Sequence, residues 1–128
     1  MKVFVGYDTR EDMAYQVCKH SILRHSPTAE VKPLKQNDLK RQGWYSRSED
    51  KLASTEFTFT RFLVPELANF NGWAVFMDCD MLLTTDIAEL FAQADDTKAV
   101  MCVQHDYAPK EAMKMDGQRQ TVDRKSVV

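Results

Sequence analysis

Five consecutive apolar residues, Trp73-Ala74-Val75-Phe76-Met77, stop abruptly at Asp78-Cys79-Asp80. A strand that is apolar at every position has no face to give to water. It suits a central strand covered on both sides, and helices packed on a mainly parallel sheet give that cover. The rest of the chain supplies such elements. Val3-Phe4-Val5 reads as a short buried strand ending at Gly6-Tyr7-Asp8. Asp8 or Thr9 can cap a helix running to about His25. Glu11 and Asp12 fall in its first turn, and Lys19, His20, Arg24 and His25 gather toward its end, as the helix dipole favours. Met13, Ala14, Val17, Cys18 and Ile22 recur at three-to-four spacing and form its core-facing stripe. Pro27 prevents continuation.

A second strand is expected over residues 30–34, with Pro33 marking an edge or an irregular end. Residues 36–54 read as a long polar loop with a short helix near Leu39, and a loop of this size is often functional. Residues 55–70 read as a helix burying Phe57, Phe59, Phe62, Leu63, Leu67 and Ala68, bent at Pro65 and broken by Asn71-Gly72. Asp86 opens a short helix through Leu90 and Phe91, and residues 98–103 read as another apolar strand leading to Gln104-His105-Asp106. Strands alternating with helices predict an α/β fold: a Rossmann-like, mainly parallel sheet with flanking helices. Ligands of such sheets sit beyond the carboxyl ends of the strands. Three of the expected strand ends carry acids: Asp8, Asp78 with Asp80, and Asp106.

Composition narrows the function classes. A hydrophobic share of 44% with 28% charged residues excludes general disorder. Seventeen basic against nineteen acidic residues give no excess for a nucleic-acid partner. Cys18, Cys79 and Cys102 are too few and too far apart for a disulfide framework or a Cys-x-x-Cys metal site. Free buried thiols in the cytoplasm are expected. The longest apolar runs fall far short of the ~20 residues of a membrane span, and the opening residues make no signal peptide.

In extended chain, residues two apart face the same side with Cα atoms ~6.5 Å apart, so Asp78 and Asp80 can address one ion. Two like charges at a buried strand end repel, and one would tend to protonate. A hard divalent cation, Mn²⁺ or Mg²⁺, removes that penalty and leaves positions open for a diphosphate. Asp-x-Asp alone is a common tripeptide, most often a pair of solvated turn acids. The apolar strand before it gives it weight here.

Phe76-Met77-Asp78-Cys79-Asp80-Met81-Leu82 resembles the hydrophobic-framed Asp-x-Asp motif of nucleotide-sugar glycosyltransferases, family eight in particular. Val3-Phe4-Val5-Gly6-Tyr7-Asp8 resembles that family's opening strand and loop. Thr58-Phe59-Thr60-Arg61-Phe62 resembles its arginine-bearing helix. The resemblance implies the nucleotide-binding part of a GT-A fold, a UDP-sugar donor and a retaining reaction. It places Gly6, Tyr7 and Asp8 by the donor, with Asp8 near the uracil. Arg61 falls by the donor sugar and phosphate, Asp78 by ribose and metal, Asp80 on the metal, and Asp106, more loosely, on the acceptor side. It also implies that residues 1–122 are the donor half of a longer domain. The later half would supply a histidine as third metal ligand and most of a site for a glycan, lipid or protein acceptor. None of His20, His25 or His105 stands in the family's histidine context. Residues 123–128 read like a translated sequencing adapter, a non-native tail. Such a fragment is expected to be weakly active at best and prone to self-association through apolar surface left bare.

The expected chemistry is metal-assisted departure of a nucleoside diphosphate from a sugar, with Arg61 as a permanent cation beside it. Two alternatives stand beside a glycosyltransferase. In a phosphatase or phosphotransferase of the haloacid-dehalogenase type, the motif follows the first strand and continues into Gly-Thr. Here it comes late and continues Met81-Leu82-Leu83-Thr84. The other alternative is a noncatalytic Rossmann-like binding module. His20 and His25, five apart, are wrongly spaced for a shared metal. Trp44, Tyr45 and Arg47 are either a flap over the donor or a loop anchored by aromatics.

Overall fold

Val3 and Val5 point to one side of the first strand and Phe4 to the other, and all three are almost wholly buried. That alternation builds two cores, one on each face of a parallel sheet. The computed structural model describes residues 1–48, 50 and 53–103. They fall in two units, residues 1–94 and residues from 95 on.

In the first unit β1 (Lys2–Gly6) leads through a 3-10 turn (Thr9–Glu11) into α1 (Asp12–His25), then β2 (Glu30–Leu34) and α2 (Gln36–Arg41). A second 3-10 turn (Thr60–Leu63) runs into α3 (Val64–Leu67), followed by β3 (Ala74–Met77) and α4 (Ala88–Phe91). Among the described residues the sheet has three strands in the order β2-β1-β3, all parallel, with Val3 opposite both Val31 and Val75. The fold is α/β and Rossmann-like, as expected. One core joins Val3 and Val5 to Tyr15, Cys18 and Ile22 of α1, with Met77 and Ile87. The other joins Phe4 to Leu34, Leu39, Val64 and Ala68.

Several local expectations are corrected. The buried face of α1 is Tyr15, Cys18, Ser21 and Ile22; Met13 is 77% exposed and Val17 51%. Tyr15 claims the stripe because its ring meets Tyr7 edge-on, with centroids 5.3 Å apart. Among the described residues the central strand is β1, and Ala74, Val75 and Phe76 of β3 are only half-buried. Residues 55–70 do not form one helix. Threonines and phenylalanines lose rotamer freedom in a helix, and Thr58 Oγ1 accepts the Thr55 amide at 3.2 Å instead. Pro65 does not bend a helix. It sits in the first positions of α3, where its missing N–H costs nothing. The end of α3 takes Asn69 and Phe70 to φ of 58° and 48°.

Pro33 lies on the outer strand of this sheet, opposite Val5. Ser26 closes α1: its hydroxyl donates to Asp86 Oδ1 (2.7 Å) and accepts the Ile87 amide (2.9 Å), tying the helix end to the approach of α4.

In the second unit, residues 98–103 are not a strand but irregular, exposed chain. A strand needs a neighbouring edge to take its backbone groups. Before them, Asp95 accepts the amide and hydroxyl of Thr97, which holds its carboxyl below the usual range. Cys18 and Cys79 are buried thiols as expected, but Cys102 is exposed. No helix among the described residues is long and apolar enough to cross a membrane.

Candidate functional site at the strand ends

The sheet reverses its winding at β1, with β2 on one side and β3 on the other. Such a switch point opens a crevice at the carboxyl ends of the strands. The pairing of Val5 with Met77 brings the ends of β1 and β3 level, so Gly6-Tyr7-Asp8 and Asp78-Cys79-Asp80 leave the sheet from one edge.

Asp78 is half-buried, and Arg61 Nη2 lies 3.7 Å from its Oδ1. Burial raises the Asp78 carboxyl above its ordinary value. Arg61 pulls it back, while Asp80 and Glu11 push it further up. Asp80 is exposed. Cys79, between them, turns into the core, and its thiol donates to Glu11 Oε2 at 3.2 Å. Burial, with Glu11 close by, pushes that thiol up to about 12. Glu11 is the member of this group that sequence reasoning missed. It read there only as a first-turn acid, and no spacing links it to a motif 68 residues away.

Arg61 is held from below. Its Nε donates to the Phe57 carbonyl at 3.3 Å. Its guanidinium lies 5.4 Å from the Phe57 ring centroid and 5.0 Å from that of Phe76, within cation–π range. Thr60, one residue earlier, is fully buried, and its hydroxyl has no hydrogen-bond partner among the described residues.

The donor-side residues of β1 are engaged inside the protein. Tyr7 is buried, and its hydroxyl donates to Asp12 Oδ1 at 2.7 Å, which raises its pKa to about 12. The Asp8 side chain is fully buried. Oδ1 accepts the Arg10 amide and Nε, both at 2.9 Å; Oδ2 accepts Arg10 Nη2 at 2.7 Å and the Glu56 amide at 3.1 Å. The Arg10 side chain, above all, holds its carboxyl down at about 2. Four donors use the acceptor sites a carboxylate offers. In this arrangement Asp8 is bonded wholly from within the protein.

Asp78 and Asp80 are hard oxygen donors of the type that Mn²⁺ or Mg²⁺ takes. Two carboxylates alone would need further oxygens from a ligand to hold such an ion. Among the described residues no three His, Cys, Asp or Glu side chains form a group able to hold a metal. Asp106 lies outside the described residues. Trp44, Tyr45 and Arg47 line an open cleft of about 290 Å³ with Ser46, Phe59, Phe62 and Leu63. Tyr45 is buried, and Arg47 stacks on Phe59 at 4.1 Å.

No protein-family model matches the chain, and no solved structure does. A curated Arabidopsis thaliana protein named Protein CDI is 56% identical over 122 residues, 94% of this chain and 47% of that protein. The chain thus spans about half the length of the curated relative it matches. This corrects the resemblance to glycosyltransferase family eight: the similarity found is to Protein CDI, and no glycosyltransferase family emerges. The resemblance rested on three short segments, and a strand ending in Asp-x-Asp is a geometry that unrelated α/β sheets share.

Proposed function

We propose that this chain forms the donor-binding part of a metal-dependent glycosyltransferase that takes a sugar from a nucleotide-sugar, UDP-linked in the first instance. The reading rests on site chemistry and not on family membership. The observation that carries it is the Arg61–Asp78 pair at 3.7 Å, with Asp80 two residues on, at the carboxyl edge of a parallel sheet. Two carboxylates and a permanently charged guanidinium suit a diphosphate bound through a cation.

In this reading Asp78 and Asp80 hold the cation, and Arg61 donates to phosphate or sugar oxygens. A divalent cation held there would supply Lewis-acid stabilisation of negative charge on a diphosphate. Arg61 adds a cationic donor beside it. Its contact with Asp78 is long, and both side chains are partly open to water. The arginine can therefore turn from carboxylate to phosphate at little cost. The acceptor, and the transfer itself, belong to the whole protein.

Calorimetry of UDP in Mn²⁺ and in EDTA tests the site. Binding is expected only with Mn²⁺, and Asp80→Asn abolishes the difference. Equal heats in both buffers count against the metal site. A melting temperature unmoved by any nucleotide favours a noncatalytic module.

A further inference from the structure

The loop after β1 and the segment before Arg61 are joined by a latch that the proposed chemistry does not use. Asp8 Oδ2 accepts the Glu56 amide, and Arg10 Nη2 donates to the Ser54 carbonyl at 3.0 Å. Thr9 Oγ1 donates to Glu56 Oε1 at 2.6 Å, and Gln36 Nε2 to the Glu56 carbonyl at 3.2 Å. Segment 54–56 is thus pinned from two sides. The next residue, Phe57, is buried against Gly6. A Cβ at Gly6 would lie 2.6 Å from the Phe57 ring, closer than such atoms approach. Phe57 in turn carries Arg61, through its carbonyl and its ring.

We propose that Asp8 and Arg10 are positioning residues that set Arg61 against Asp78 by fixing Glu56 and Phe57. This rests on the reading of Arg61 as the diphosphate-side cation, but its geometric half stands without any ligand. A buried carboxylate with four donors is a rigid anchor. The path from it to Arg61 runs through a backbone amide, one peptide unit and a packed ring. Arg10 itself is largely exposed, so its removal changes few packing contacts. The consequence is that substitutions at Gly6 and Arg10, both remote from Arg61 along the chain, alter the Arg61 position.

The test follows the Arg61 Nε–H signal by ¹⁵N NMR in the full chain, with the melting temperature measured alongside. Arg61→Gln identifies the signal. In Arg10→Gln the Arg61 signal is expected to move toward that of a solvent-exposed arginine, with proton exchange faster by about tenfold. A fall in melting temperature with the Arg61 signal unmoved overturns the proposal, because the latch is then stabilising only. Should Arg10→Gln fail to fold, Gly6→Ala gives the same readout by displacing the Phe57 ring and leaving the bonds of Asp8 intact. A parallel arm measures Mn²⁺–UDP affinity. Arg10→Gln is expected to weaken it in the same sense as Arg61→Gln, with no further loss in the double variant; additive losses overturn the coupling. If the wild-type chain binds no Mn²⁺–UDP, the functional reading falls, and the Arg61 signal still decides the positioning role.

Discussion

Asp8→Asn isolates the energetic weight of the latch. The carboxyl sits at about 2 against an ordinary value of 3.8. The full difference corresponds to about 2.4 kcal/mol of folding stability, at about 1.36 kcal/mol per pKa unit. Its main partner, the Arg10 side chain, is 69% exposed. Solvent screening therefore brings the expected contribution to about 1–2 kcal/mol. The sign follows from linkage. The folded-state pKa is depressed, so the native state binds fewer protons than the unfolded chain between these two values. The stabilisation is fully present above about pH 4 and is lost as pH falls through the folded value near 2. Urea unfolding of wild type and Asp8→Asn, in steps from pH 7 downward, measures it. The gap should hold level to about pH 4 and then narrow steadily. Either of two results refutes the reasoning: a gap under about 0.5 kcal/mol at pH 7, or one that does not change down to pH 2.5.

Three further outcomes are expected. Thr60→Val should raise stability by about 1 kcal/mol, since it replaces a fully buried hydroxyl that has no partner among the described residues by a methyl of the same shape; chemical denaturation reads it. Ser26→Ala should cost about 1–3 kcal/mol, because it strands the Ile87 amide and removes a bond to Asp86. A melting curve within one degree of wild type would contradict that. Under native conditions at neutral pH, one thiol, Cys102, should react promptly with an aromatic disulfide reagent. Cys18 and Cys79 should wait for unfolding, being buried, with pKa values raised to about 11 and about 12.

The sheet was legible in the sequence because its strands are short apolar runs cut off by turn residues and acids. Val3-Phe4-Val5 and Trp73-Ala74-Val75-Phe76-Met77 left few other solutions, and Pro33 correctly signalled an edge. Strand order was not legible. An unbroken apolar run says that both faces meet something apolar, but not how many neighbours share its edges, so β3 read as central, while among the described residues β1 is the middle strand. The reading of residues 55–70 as one helix failed for a different reason. Apolar spacing alone favoured a helix there, while three threonines and three phenylalanines between 55 and 62 offered the backbone competing side-chain bonds and crowded rotamers.

The site divides along the same line. Asp78 and Asp80 stand out in the sequence because they follow one apolar run within three residues, although the strand stops at Met77 and the chain turns at Cys79-Asp80. Asp8 was visible as an acid but not as an anchor, because three of its four donors come from Arg10 and the fourth from Glu56, 48 residues on. No pattern along the chain distinguishes a strand-end carboxylate that meets a ligand from one whose lone pairs are already filled. That distinction decides what a substitution does. Asp80→Asn should leave the fold intact and remove metal-dependent nucleotide binding. Asp8→Asn should lower stability in a pH-dependent way and reach the nucleotide only through Phe57 and Arg61. If both substitutions abolished Mn²⁺–UDP binding while stability at pH 7 stayed unchanged, Asp8 would be a ligand contact after all, and the latch would have to open on binding.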